Sequence, residues 1–233
     1  MTMRTLLILA MLACSSAAAA RAGNITGTVH AEGKPGAGQG LSDGRYTSHE
    51  FKFAQKVDYA EMRDFVVYID GPLSNAPAIA TNTQAEVTTV KVSQKRAMFS
   101  PHVLPVMAGT TVEWPNKDDI YHNVFSYSEA KSFDLGLYKD PEIKSVMFDK
   151  PGQVDVFCSI HANMSCVVLV LQNPYFAVTD DRGVYTITNV PPGTYRLKAW
   201  HERLPRQTME ITVPESGTVK ADFTLGITGL PTQ

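Results

Sequence analysis

Cysteine is scarce in this chain: three occur in 233 residues, at positions 14, 158 and 166. That count excludes a small secreted scaffold stapled by disulfides. An excess of one charge is missing too, because 21 Lys and Arg stand against 23 Asp and Glu. Nothing in that balance supports a nucleic-acid partner. The apolar run Leu6–Ala13 falls well short of the roughly 20 residues that a membrane-spanning helix needs. No acidic or basic pair stands ready for proton transfer, and no second Met/His cluster offers a metal handover point.

The first residues carry an address. Arg4 precedes Leu6–Ala13, and small residues from Ser15 to Ala20 follow. This order of charge, apolar stretch and small residues reads as a signal peptide over 1–22. It predicts export, to a bacterial periplasm, of a chain starting near Gly23. Without Arg4 and Arg21 that chain carries a net charge of about −4. Met11-Leu-Ala-Cys14 is a weak lipobox because its first position is not Leu, so membrane attachment is expected only if Cys14 is lipidated.

Cys158 and Cys166 are then the only remaining thiols. Cys158, His161 and Met164 are spaced three apart, so a tight loop between two strands could turn all three side chains towards one point. His122 must arrive from elsewhere. It follows Val112-Glu-Trp114-Pro115, which reads as a strand ending at proline, and the polar turn Asn116–Asp119. A thiolate, two imidazoles and a weak axial thioether form the donor set that suits copper in both of its oxidation states. His122, Cys158, His161 and Met164 are therefore the candidate metal ligands, and copper, one ion per chain, is the expected cofactor. Cys166, in the apolar run Cys166–Val170, reads as a buried small thiol on a core strand.

The segments Phe99-Ser-Pro101, Met107–Trp114, His122-Asn-Val124, Phe148–Gly152 and Phe157–His161 resemble the plastocyanin and amicyanin branch of the cupredoxins. The short His161-to-Met164 spacing is similar to that of amicyanin, a protein of methylamine utilisation. The resemblance covers about 86–172 and implies a Greek-key β-sandwich holding a type 1 (blue) copper, with His161 the ligand nearest solvent. It also implies that Asn123 ties the two ligand loops together through hydrogen bonds. Cys166 departs from the pattern, standing where a small residue such as Gly is common.

Beyond the copper loop, short alternating stretches are separated by Asp/Gly and Pro/Gly turns, and all read as antiparallel hairpin material. Thr179–Tyr185 and Val190–Leu197 resemble the carboxypeptidase regulatory-like sandwich, similar in outline to transthyretin. That family opens on strands like Ile25–Val29 and Phe65–Ile69, which here precede the copper segment. The expected fold is all-β, a cupredoxin sandwich plus a regulatory-like one. Its domain plan is 23–72 and 173–227 for the regulatory-like sandwich, 73–85 for a linker and 86–172 for the cupredoxin. Insertion of one sandwich into the other is the hypothesis, and a tandem order the alternative. Gly33–Tyr46 reads as a surface loop, and Glu50–Met62 has no clean period.

A copper whose positions are all filled by protein leaves no room for substrate, so catalytic residues are not expected. The expected function is one-electron transfer with a redox protein such as a c-type cytochrome or a periplasmic dehydrogenase. Ile160, Ala162, Pro101 and Pro105 are candidates for an apolar docking patch around His161. Copper storage, sensing or delivery is the alternative, and a ligand-binding sandwich a third. His30, His49, His102 and His201 show no ligand spacing.

Overall fold

The computed structural model describes residues 22–33, 58–73 and 90–226. The signal-peptide segment to residue 21, most of the Gly-rich stretch, His49 and the linker past Leu73 lie outside the described residues. The chain is all-β. Its strands begin with β1 (Gly23–Glu32), β2 (Val66–Ile69), β3 (Val90–Lys91), β4 (Ser93–Lys95), β5 (Met98–Ser100) and β6 (Val103–Met107). They continue with β7 (Thr110–Pro115), β8 (His122–Tyr127), β9 (Ser132–Tyr138), β10 (Ile143–Phe148), β11 (Gly152–Phe157) and β12 (Ser165–Leu171). The last are β13 (Phe176–Val178), β14 (Val184–Val190), β15 (Gly193–His201), β16 (Leu204–Val213), β17 (Thr218–Lys220) and β18 (Phe223–Gly226). Within the stretch that showed no period, Tyr59–Glu61 forms a single 3₁₀ turn.

Strand pairing sorts these elements into two sandwiches. In the first, β1 lies between β14 and the pair β17 and β18, facing a sheet ordered β13-β2-β15-β16. Residues near both chain ends thus share one core: Ile25 and Val29 pack with Val67, Ile187, Leu197, Phe223 and Leu225. In the second, the sheet β10-β7-β3 faces the sheet β6-β12-β11-β8-β9. Trp114, Phe148, Val154, Val156 and Val168 fill the space between them.

The expectation that the strands beyond the copper loop are all antiparallel hairpin material needs correction at β17 and β18. β17 and β18 run parallel to β1, as β6 does to β12 and β3 to β7. The hairpin turns seen in the sequence report only on neighbours along the chain, whereas these partners are far apart in sequence. β1 passes from β17 to β18 at Gly27, where a Cβ would lie 1.7 Å from the Ala221 carbonyl oxygen. Only glycine allows that approach.

β12 shows why Cys166–Val170 has no polar face. Cys166, Val168 and Val170 point into the metal-side core, while Val167, Leu169 and Leu171 point the other way. That second face packs on Val66, Tyr68 and Trp200 of the other sandwich. β2 is wedged in the same manner, with Val67 and Ile69 in one core and Val66 and Tyr68 in the next. Each run is apolar throughout because each strand is covered on both sides. The four sheets therefore stack over three apolar layers.

A polar link lies at the edge of the shared layer. His102 Nε2 is 2.9 Å from a Glu202 carboxylate oxygen, and His102 Nδ1 is 3.2 Å from the Ser165 carbonyl. The hydrogen bond to Glu202 raises the His102 pKa, and the same bond lowers that of Glu202. A raised histidine contributes stability that is full below its unfolded value, about 6.5, and is lost as pH climbs through the folded value. A lowered glutamate contributes above about 4.3 and loses it on acidification. The stability difference between the native protein and Glu202→Gln should thus be present near pH 5.5 and gone by about pH 9. Both groups are partly exposed, so screening holds that difference to about 1 kcal/mol or less, measurable by urea unfolding. An equal difference at both pH values would show that the contact carries no ionic stabilisation.

Candidate metal centre

The end of β11, the start of β8 and the start of β12 meet at one end of the second sandwich. Cys158 directly follows β11, and a short loop leads through His161 and Met164 into β12. Two backbone bonds close that loop: Cys158 N–H donates to the Met164 carbonyl at 3.1 Å, and Met164 N–H to the His161 carbonyl at 2.9 Å. Opposite stands His122, the first residue of β8, paired with Tyr138 of β9. It is wholly buried, whereas His161 is partly exposed.

The donor atoms converge. His122 Nδ1 lies 3.1 Å from His161 Nδ1, and Cys158 Sγ lies 3.7 Å from the same nitrogen. All three ligand atoms fall within 4.8 Å of one another. Metal bonds of about 2.0–2.1 Å to nitrogen and about 2.3 Å to sulfur place two donors on a common ion roughly 3 to 4 Å apart. Two imidazole nitrogens and one thiol at these separations fit a soft transition metal, copper among them, in type and in spacing. Met164 is 1% exposed and packs in the same apolar cluster as Cys158. Its thioether is a further soft, neutral donor type carried on the same loop as Cys158 and His161.

Asn123 bridges the two ligand segments. Its Oδ1 accepts from Ser159 N–H at 3.3 Å, and its Nδ2 donates to Asp134 at 2.6 Å. Residue 159 adjoins Cys158, so this bond couples the start of β8 to the ligand loop. Cys166 stays outside the donor cluster. It is a free thiol, 2% exposed, and burial pushes its pKa well up, so it remains protonated.

A residue not singled out in the sequence completes the site. Asp118 Oδ2 lies 2.8 Å from His122 Nε2, on the far side of the ring from Cys158 and His161. Burial acts to raise the Asp118 pKa, but bonds from Ala97 N–H, His122 and Arg96 N–H outweigh it and hold the carboxyl low. Asn116 builds the loop that delivers it: its Oδ1 accepts from Asp118 N–H, and its Nδ2 donates to the Ile120 and Tyr138 carbonyls. The available signal was a carboxylate four positions before a ligand histidine, inside a segment that reads as an ordinary polar turn.

The proposed patch residues separate. Ile160 is 52% exposed, and Ala162 and Pro101 are also exposed. Pro105 is different: register sets it opposite Leu169, part-way along β12 and away from the ligand loop. Strand alternation puts it on the face of Val103, which packs towards the other sandwich, so it is not a patch residue. Ile120 and Tyr121, half exposed just before His122, were not foreseen. Of the other histidines, His30 is exposed on β1, and His201 is buried against Phe65.

Comparison with known proteins adds the following. The family described as carboxypeptidase regulatory-like domain matches residues 165–226, well under half of the chain. That stretch opens with β12, which is hydrogen-bonded in the sandwich that holds the donor cluster, and leaves out β1 and β2. No curated protein matches. Among solved structures, a copper-containing nitrite reductase from Thermus scotoductus is 27% identical over 36% of this chain and 23% of its own, with a TM-score of 0.35. The likeness thus spans less than a quarter of that enzyme. A copper(I) amicyanin variant is 24% identical over 35% of this chain and 81% of its own, with a TM-score of 0.33. A purple cupredoxin from Nitrosopumilus maritimus is 24% identical over 35% and 98%, with a TM-score of 0.32.

Proposed function

We propose that this chain is a periplasmic type 1 copper protein that carries single electrons between redox partners. The observation behind this reading is the convergence of one ring nitrogen each from His122 and His161 with Cys158 Sγ within 4.8 Å, with the buried Met164 in the same apolar cluster as Cys158. The bound ion supplies a one-electron couple, and the residues around it hold the donors still. Backbone bonds across the Cys158–Met164 loop and the Asn123 bridge keep those donors in place whichever charge the site carries. Burial of Cys158 and His122 excludes water, which reduces rearrangement of the surroundings on electron transfer.

His161 is the partly exposed ligand, so its ring edge is the route in and out. Exposed Ile160, Ala162 and Pro101, with Ile120 and Tyr121, offer a partner a weakly apolar surface suited to brief encounters. A c-type cytochrome or a periplasmic dehydrogenase fits that role. No catalytic residue is assigned.

Copper loading tests the reading. One equivalent of copper(II) should give an intense visible thiolate charge-transfer band and a reversible one-electron wave. Met164→Gln should keep the ion and lower the potential, because an oxygen donor favours the oxidised ion more than a thioether does. A colourless, redox-silent protein would refute the electron-carrier reading. An unchanged potential in Met164→Gln would remove Met164 from the ligand set.

A further inference from the structure

The geometry points to Asp118 as a positioning residue that fixes which nitrogen of His122 faces the metal and biases the site towards the more highly charged ion. The inference rests on the copper reading for its second half only. His122 is wholly enclosed, with one ring nitrogen towards Asp118 at 2.8 Å and the other towards His161 at 3.1 Å. An ionised carboxylate can only accept hydrogen bonds. The proton of a neutral His122 must therefore sit on Nε2, which leaves the Nδ1 lone pair aimed at Cys158 and His161. The other tautomer, with the proton on Nδ1, would set two acceptors against each other at the carboxylate and lose that bond.

Asp118 is itself locked from a distant part of the chain. Its Oδ1 accepts from Arg96 N–H at 2.6 Å, and its Oδ2 from Ala97 N–H at 2.9 Å. Arg96 and Ala97 form the two-residue turn between β4 and β5, with φ of 55° and 52°. That left-handed turn points two successive N–H groups at one carboxylate. Asn116 Oδ1 holds the Asp118 backbone N–H at 2.9 Å. The carboxylate is thus fixed by two donors besides the imidazole, and its backbone by Asn116, so it transmits orientation to His122 and does not follow it. Its negative charge, one ring away from the donor cluster, stabilises a doubly charged ion more than a singly charged one.

Two measurements decide the matter. In metal-free protein, nitrogen-15 NMR of the His122 ring should show the Nε2–H tautomer, with a mixture of tautomers in Asp118→Ala. In copper-loaded protein, Asp118→Asn keeps an acceptor for Nε2–H but loses the charge. Its preference for copper(II) over copper(I) should fall about tenfold, the lower end of the usual cost of losing a ligand's supporting partner. A tenfold change is an upward shift of about 59 mV for one electron. An Nδ1–H tautomer in the native metal-free protein, or a potential in Asp118→Asn that stays or falls, would overturn the inference. Should Asp118→Ala fail to fold, the native tautomer and the Asp118→Asn potential still decide. If the native protein takes up no copper, the copper reading fails while the tautomer alone tests the positioning role.

Discussion

Copper-loaded Cys158→Ser protein should be colourless. The visible band expected of the native protein arises from charge transfer out of a thiolate, and serine supplies a hard hydroxyl that stays protonated at neutral pH. Copper(I) retention should suffer most, since soft sulfur is the donor that this oxidation state prefers. The loss should exceed the roughly ten- to hundredfold typical when only a supporting partner of a ligand is removed. Serine nearly matches cysteine in size, and Cys158 is buried at the rim of the core, so the fold should survive. Absorption spectra and competition with a copper(I) chelator measure both effects. A blue Cys158→Ser protein would mean that the thiolate lies elsewhere, with Cys166 the remaining candidate among the described residues.

Trp200→Ala should produce a large loss of stability away from the candidate metal centre. Trp200 is 1% exposed and fills the layer where Val66 and Tyr68 meet Val103, Val167, Leu169 and Leu171. Truncating a buried tryptophan to alanine costs about 3–5 kcal/mol through lost transfer energy and the cavity left behind. The cost falls on the contact between the sandwiches, because each has its own core on the far side of the shared layer. Calorimetry should therefore show the native protein melting in one step and the variant in two. One unshifted transition in the variant would mean that this layer adds no stability.

Much of the candidate metal centre was legible because its donors announce themselves chemically. A Cys-x-x-His-x-x-Met loop and a histidine after a strand that ends at Pro115 combine residue types that copper requires, at spacings a short loop can close. His122, Cys158 and His161 do meet. Asp118 was not legible, because its partners include backbone N–H groups of Arg96 and Ala97, and backbone groups carry no sequence signature. Pro105 failed for a related reason. It stood with Pro101 in the expected patch, but a strand turns alternate residues to opposite faces and carries them away from its end.

Local chemistry determined, from the order of residues alone, that this chain would be built from short strands and turns, and that one loop would present sulfur and imidazole together. Alternation, turn residues and ligand spacing are all short-range properties, and short-range properties survive being read in one dimension. The long-range arrangement was settled only by folding: β17 and β18 parallel to β1, β12 covered on both faces, and a carboxylate from one loop pinned by a hairpin turn to set the ring of His122. Such pairings depend on which apolar faces find each other in three dimensions, and an apolar strand does not say in advance how many cores it will serve.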